Sequence, residues 1–319
     1  MTSMHRRERA EATPLMALAM MAWILWHAPC ALAGRSTDSA SATAHAPTPA
    51  CIRSCLAGLV ADYLAALQVG DASHLAFSPH ARFTEDQQER RVGVEGIWSH
   101  KVMLTGYRFD VLDVSAGVAA SLVKVRIDGA PALLALRLTT HGARISGIES
   151  IVVHSRDEGM IFDVDAIQTL SKAMAYTPKL AERNSREEMI AIASRYPQGL
   201  QAGSFVKVDV PFAPEAYRFE NGRLMAGPGC TFLPGCEHIK TQRIPRLSRL
   251  TYRIAAVDER QGVVLIRMDF GPGSVFESPN RPKGQSLSVF EAFKVYGGQI
   301  HAVEAFMKMK PADQPLGWN

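Results

Sequence analysis

The 319-residue sequence contains no Gly-x-Ser-x-Gly turn, no His-Glu-x-x-His helix, no Gly-rich phosphate loop and no dinucleotide fingerprint. Each of these patterns has a mechanical reason for its spacing, so their absence argues against a serine hydrolase, a zinc protease or a nucleotide-dependent enzyme. The ten histidines show no metal-ligand spacing, and nothing in the residues calls for a metal or a cofactor. No block of Lys and Arg is present and the formal net charge is only +4, which argues against a nucleic-acid partner. The apolar run Leu15–Trp26 is too short to favour a membrane span. A hydrophobic content of 47% with 21% charged residues excludes disorder over most of the chain.

What is present begins with an export signal. His5-Arg6-Arg7-Glu8-Arg9 is a charged start, the apolar run follows, and Ala31-Leu32-Ala33 offers a small-x-small cleavage site before Gly34. Residues 1–33 read as a signal peptide, with an uncleaved anchor as the alternative, and residues 34–50 as a flexible leader. The mature protein is expected in the periplasm or outside the cell, without stable membrane insertion. Five cysteines become four once Cys30 is removed: Cys51, Cys55, Cys230 and Cys236. An even count in an exported chain suggests disulfides. Cys230–Cys236 closes a Gly/Pro-containing loop. A Cys51–Cys55 bridge would strain a regular helix unless Cys51 precedes its first turn. Zinc is the rival reading, although the two spacings fit finger sites poorly.

The chain is organised around Ser286–Met307, a strand, a Gly297-Gly298 turn and a second strand. Leu287, Val289, Glu291, Phe293 and Val295 share one strand face, so Glu291 must be paired, protonated or at the mouth of a cavity. Upstream, Leu56, Leu59, Val60, Tyr63, Leu64 and Leu67 recur at helical spacing up to Gly70. A short helical segment is expected at Ala72–Leu75 and an amphipathic piece near Ile167–Met174. Strands are expected at Ala81–Asp86, Tyr107–Val114, Val118–Ile127, Ala132–Thr139 and Ile145–Val153.

The second half repeats this order. Tyr63–Gly70 matches Tyr196–Gly203, Arg82–Asp86 matches Arg218–Asn221, Tyr107–Val125 matches Tyr252–Phe270, and Ile145–Glu149 matches Ile300–Glu304. Ser185 and Glu188 have capping-box spacing at the start of the second copy, and Pro197 should end or kink its helix. Extra residues fall around Ala226–Ser248. The copies span 51–155 and 183–310, joined by a connector at 156–182 and followed by a tail at 311–319.

One helix ending in Tyr-x-x-x-Leu-x-x-Gly, followed by a curved antiparallel sheet, resembles the nuclear transport factor 2-like, SnoaL-like fold. The blocks Tyr63–Asp71, Phe83–Asp86 and Leu287–Phe306 also resemble its ketosteroid isomerase branch. Cys51–Trp318 as a whole is similar to a family of secreted fungal and bacterial two-module proteins, on Cys51-x-x-x-Cys55-Leu56, Arg218–Gly222, Gly235-Cys236, Val257–Glu259, Phe293–Val295 and Gly317-Trp318. The resemblance implies an α+β fold of two tandem cones packed as an internal pseudo-dimer. It further implies a helix Tyr, a base at the end of the early strand and a protonated acid on a late strand. Tyr63 and Asp86 match the first two in the first copy, where Leu136 stands in the acid's place. Tyr196, Glu220 and Glu291 match all three in the second copy, with Asn221 beside Glu220. Tyr252 and His301 are further candidate binding residues. Two readings follow: a pocket for a small apolar molecule with cofactor-free isomerase, dehydratase or cyclase chemistry, or a non-catalytic small-molecule binding or interaction module.

Overall fold

The computed structural model describes residues 51–271 and 284–318. The expected signal and leader lie outside the described residues.

The first helix, α1 (Arg53–Val69), buries Leu56, Val60, Tyr63, Leu64 and Leu67 and stops at Gly70, whose φ of 75° is left-handed. Glycine takes that conformation without steric cost. Cys51 precedes the helix and bridges Cys55, so the bridge spans the helix start and not a regular turn. The segment after Gly70 is a turn, closed by a bond from Leu75 N to Ala72 O. The helix expected there does not form: the chain makes one hydrogen-bonded turn and does not continue it.

Six strands follow: β1 (Phe77–Glu85), β2 (Gln88–Glu89), β3 (Val102–Asp113), β4 (Val118–Ile127), β5 (Ala130–His141) and β6 (Arg144–Val153). Their order in the sheet is β2-β1-β6-β5-β4-β3. Only β1 and β6 run parallel among neighbours. The connector contains two four-residue helices, α2 (Arg156–Gly159) and α3 (Lys172–Ala175), so little of the amphipathic piece expected near Ile167–Met174 is helical. Buried Lys294 ties it down by donating to the carbonyls of Met174, Tyr176 and Gln261.

The second helix of this length, α4 (Arg186–Ala202), opens with the Ser185–Glu188 capping box and ends at Gly203, φ 71°. Of the two outcomes expected at Pro197, an end or a kink, the end does not occur, and Pro197 lies inside the helix. The missing N–H removes one bond to the preceding turn, but Tyr196, Pro197, Gly199 and Leu200 are all buried and carry the helix past it. Then come β7 (Phe212–Glu220), β8 (Arg223–Ala226), β9 (Thr251–Asp258), β10 (Val263–Asp269), β11 (Gln285–Tyr296) and β12 (Gln299–Pro311). Their order, β8-β7-β12-β11-β10-β9, repeats that of the first sheet. The β11–β12 hairpin turns at Gly297 and Gly298, both with positive φ, as its type requires. The described chain is thus α+β, with two six-stranded sheets and few helices. None of its helices is long and apolar enough to cross a membrane.

Each sheet has two apolar faces. Alternate β11 residues Leu287, Val289, Phe293 and Val295 join the core beneath α4. Their neighbours Phe290 and Ala292 join a core shared with Tyr107, Phe109, Leu122 and Leu133 of the first sheet. Ion pairs cross between the halves reciprocally. Arg53 of α1 grips Asp258 at 2.7 and 2.8 Å, and Arg186 of α4 grips Asp113 at 2.8 and 2.7 Å. Asp258 also accepts from Leu112 N at 3.0 Å, and Asp113 from Val257 N at 2.8 Å. Bidentate guanidinium contacts to carboxylates this buried resist water and salt.

Candidate functional site

A cavity of about 500 Å³ opens beneath α4, within the usual size range of small-molecule sites. The repeat geometry determines what lines it. Sheet pairing sets Glu220 opposite Ala305 and Ala305 opposite Glu291. Glu220 and Glu291 therefore flank the small Ala305 in one row across β7, β12 and β11, their backbones roughly 10 Å apart by strand spacing. Arg218, two residues before Glu220, shares its face. Tyr196 comes down from α4.

These four side chains form one network. Arg218 Nη1 donates to the Tyr196 hydroxyl at 3.2 Å. Arg218 Nε stands 2.8 Å from Glu220 Oε1, as a close ion contact without hydrogen-bond alignment. Tyr196 is also a close electrostatic neighbour of Glu291. Desolvation pushes Glu291 up to about 8, against the pull of Arg218, so it is protonated at neutral pH. Burial likewise pushes the Tyr196 hydroxyl far up. The nearby Tyr196, Glu220 and Glu291 keep Arg218 charged despite its burial. Tyr196 is fixed from behind by stacking on Phe205 at 4.9 Å and by an edge contact with Phe293 at 4.9 Å. Such aromatic pairs add about 1 kcal/mol each beyond area burial.

Apolar walls complete the cavity. Leu287, Val289 and Met307 come from the sheet, Met160 and Phe162 from the connector, and Phe232, Leu233, Ile244 and Leu247 from the extra stretch of the second copy. The Cys230–Cys236 disulfide closes the loop that holds Phe232 and Leu233 at the mouth.

In the corresponding place of the first half, Trp98 packs against the helix tyrosine. Tyr63 accepts a 3.1 Å bond from Trp98 Nε1 and meets its ring edge-on at 5.2 Å. Leu136 pairs with Ser150, which pairs with Glu85, so the row there reads Glu85–Ser150–Leu136. Both Glu85 oxygens take the Ile97 N–H at 3.0 Å, and burial pushes Glu85 up to about 7. Gly96 permits this approach, because a Cβ there would lie 2.3 Å from Glu85 Oε1 and its φ is 63°.

The remaining sequence candidates have other surroundings. Asp86 and Asn221 both turn the chain at positive φ, 51° and 43°. Each side chain accepts from a backbone N–H of the adjacent strand, Val152 at 3.0 Å and Met307 at 2.9 Å respectively. Asp86 also pairs with Lys308 at 2.7 Å, and Asn221 donates to three carbonyls. Neither faces the cavity. Tyr252 lies on β9 against the α4 core and outside the cavity lining. His301 stacks on Tyr296 at 3.5 Å and bonds Glu215 at 2.7 Å. Among the described residues no cluster of His, Cys, Asp and Glu is built to hold a metal.

Arg218 is the member that sequence reasoning missed. The matched letters Arg82-Phe83 and Arg218-Phe219 put both arginines in one place. Sheet pairing shifts them by one residue: Phe83 lies opposite Ile148 and Arg218 opposite Val303, so Arg218 takes the place of Phe83. A one-residue slip exchanges the two faces of a strand. The Tyr217–Arg218–Phe219–Glu220 alternation carried the signal, since only Arg218 shares parity with Glu220.

A family model described as a domain of unknown function (DUF8021) matches residues 182–307, from just before α4 into β12. A solved NTF2-like protein of unknown function from Cytophaga hutchinsonii is 10% identical, with a TM-score of 0.26, over 32% of this chain and 91% of its own. No curated protein matches this chain.

Proposed function

We propose that this is an exported protein of two tandem nuclear transport factor 2-like cones, 51–155 and 183–310, packed as an internal pseudo-dimer. Its second cone binds a small apolar molecule and transforms it by cofactor-free acid–base chemistry of the isomerase, dehydratase or cyclase kind. The repeated strand order and the reciprocal Arg53–Asp258 and Arg186–Asp113 pairs support the pseudo-dimer. Two disulfides are in keeping with export. The observation that carries the functional reading is the convergence of Arg218, Tyr196, Glu291 and Glu220 on one largely apolar cavity.

The chemistry follows from the order of donors. Arg218 donates to the Tyr196 hydroxyl, Tyr196 neighbours Glu291, and the proton held by Glu291 is available to donate to a ligand oxygen. Each donor polarises the next in a site of low dielectric, and Arg218 stabilises negative charge that develops there. Glu220, across Ala305, acts as the base on a carbon held between the two carboxylates.

The second reading is a non-catalytic binding module. The contact of Glu220 with Arg218 at 2.8 Å favours it, because a carboxylate held by a cation is a weaker base. Deuterium exchange distinguishes the two. The protein is incubated in D₂O with the molecule that co-purifies with it, and exchange into that molecule is followed by mass spectrometry. An enzyme exchanges a ligand proton, Glu220→Gln stops the exchange, and binding persists. Binding without exchange identifies the module. A cavity that holds no molecule, with Glu291→Leu unchanged in every assay, refutes both.

A further inference from the structure

The cavity mouth carries charge that the acid–base reading does not use. Arg156, Arg223 and Arg243 are exposed and line the opening. Arg223 has a carboxylate partner, Asp163 at 3.2 Å, and its guanidinium lies 5.6 Å from the Phe232 ring. Arg156 and Arg243 have no carboxylate partner among the described residues. Four arginines thus line the cavity against three carboxylates, and one of these, Glu291, holds its proton at neutral pH. The surplus lies at the outer end, since Glu220 is matched inside by Arg218. Beside it Phe232 and Leu233 are 40% and 51% exposed.

An apolar chamber with a hydrogen-bonding floor and an unmatched cationic rim has the polarity of one ligand type. From this geometry we infer that the ligand is an amphipathic organic anion, with its apolar body in the chamber and its carboxylate, sulfate or phosphate at Arg156 and Arg243. Guanidinium groups suit such heads because their planar donors fit two oxygens at once. A rim of one sign also raises the local concentration of anions and speeds their entry. The inference rests on the chamber being the ligand site, as proposed above.

Two fluorescent probes with one scaffold provide the test. Anilinonaphthalene sulfonate carries an anionic group, and phenylnaphthylamine is its neutral relative. Titrated into wild-type protein at low salt, the sulfonate should bind about fivefold or more tightly than the neutral probe, as two exposed charge contacts allow. In the Arg156→Gln/Arg243→Gln variant the sulfonate should lose that advantage, while the neutral probe, which has no charge to read, keeps its affinity. Added salt should weaken the sulfonate only. Equal affinities in wild type, or a sulfonate affinity indifferent to the two arginines, would overturn the inference and leave the chamber reading intact, provided that Val289→Phe displaces the neutral probe. If Val289→Phe affects neither probe, the chamber is not their site and both readings fall.

Discussion

Glu291 makes the stability of this protein depend on pH in an unusual sense. In the unfolded chain its carboxyl titrates near 4.5, and in the fold desolvation holds it at about 8. Between those values the folded state keeps a proton that the unfolded state has released. Raising the pH therefore draws the equilibrium toward unfolding, by roughly 1–2 kcal/mol for each pH unit. Over the whole window the loss is on the order of 4 kcal/mol, or roughly 8 °C in melting temperature for a chain this long. Glu85, pushed up to about 7 mainly by burial, adds loss in the same sense below neutrality, and Glu304 is raised by burial in the same sense. Lys294, which burial lowers to about 8, acts oppositely and only above that pH. Glu291→Gln keeps the shape and a neutral donor but removes the titration. Thermal and urea unfolding should be followed at half-unit steps from pH 5 to 8.5. The variant should match wild type within about 1 kcal/mol at pH 5 and exceed it by a few kcal/mol at pH 8, with a residual slope from Glu85. Parallel profiles for the two proteins would refute the buried, protonated Glu291.

Other consequences are equally checkable. Glu291→Leu should leave the protein as stable or more stable at neutral pH, since an apolar side chain replaces a buried acid, while affinity for the co-purifying ligand falls by about 1–3 kcal/mol; severe destabilisation with normal binding would make Glu291 a structural anchor. Arg186→Met leaves Asp113 buried without its guanidinium and should cost about 3 kcal/mol in urea unfolding, as should Arg53→Met for Asp258; two neutral results would remove the reciprocal pairs from the account of how the halves hold together. Gly96→Ala should destabilise by about 2 kcal/mol or more, from positive φ and the clash with Glu85, and a wild-type melting curve would show that the turn relaxes freely. Cys230→Ser/Cys236→Ser should weaken phenylnaphthylamine binding with little change in global unfolding, because the loop only roofs the cavity; a large loss of stability would instead make that bridge part of the core.

The hairpin from Ser286 to Met307 was legible because alternation and two adjacent glycines constrain it strongly. Its odd-numbered residues read as one face, and Glu291 lies on that face against the cavity. The first helix was legible for the same kind of reason, a clean apolar stripe ending in glycine. Arg218 was not, because letter matching between the copies has no sense of strand parity and placed it one residue out. Pro197 left an end and a kink open in the sequence, and burial of its neighbours carries the helix past it. The Trp98–Tyr63 contact of the first half was also hidden. Trp98 comes from a segment, Gly96–Ser99, that has no periodic pattern, and nothing local links that segment to Tyr63. Cavity walls from the Ala226–Ser248 stretch were beyond reach as well, since irregular chain takes its position from distant contacts such as Gln242 Nε2 to Met225 O at 2.9 Å.

The central claim is that the second half of the molecule holds a ligand while Trp98 stays packed on Tyr63 in the first. A crystal structure of the protein with its co-purifying molecule tests it most directly. The account predicts density between Tyr196 and Glu291 over Ala305, an oxygen of the ligand within hydrogen-bonding reach of Glu291, and Trp98 still seated on Tyr63. Density beneath α1 with Trp98 displaced, or a ligand lodged between the two sheets, would contradict it.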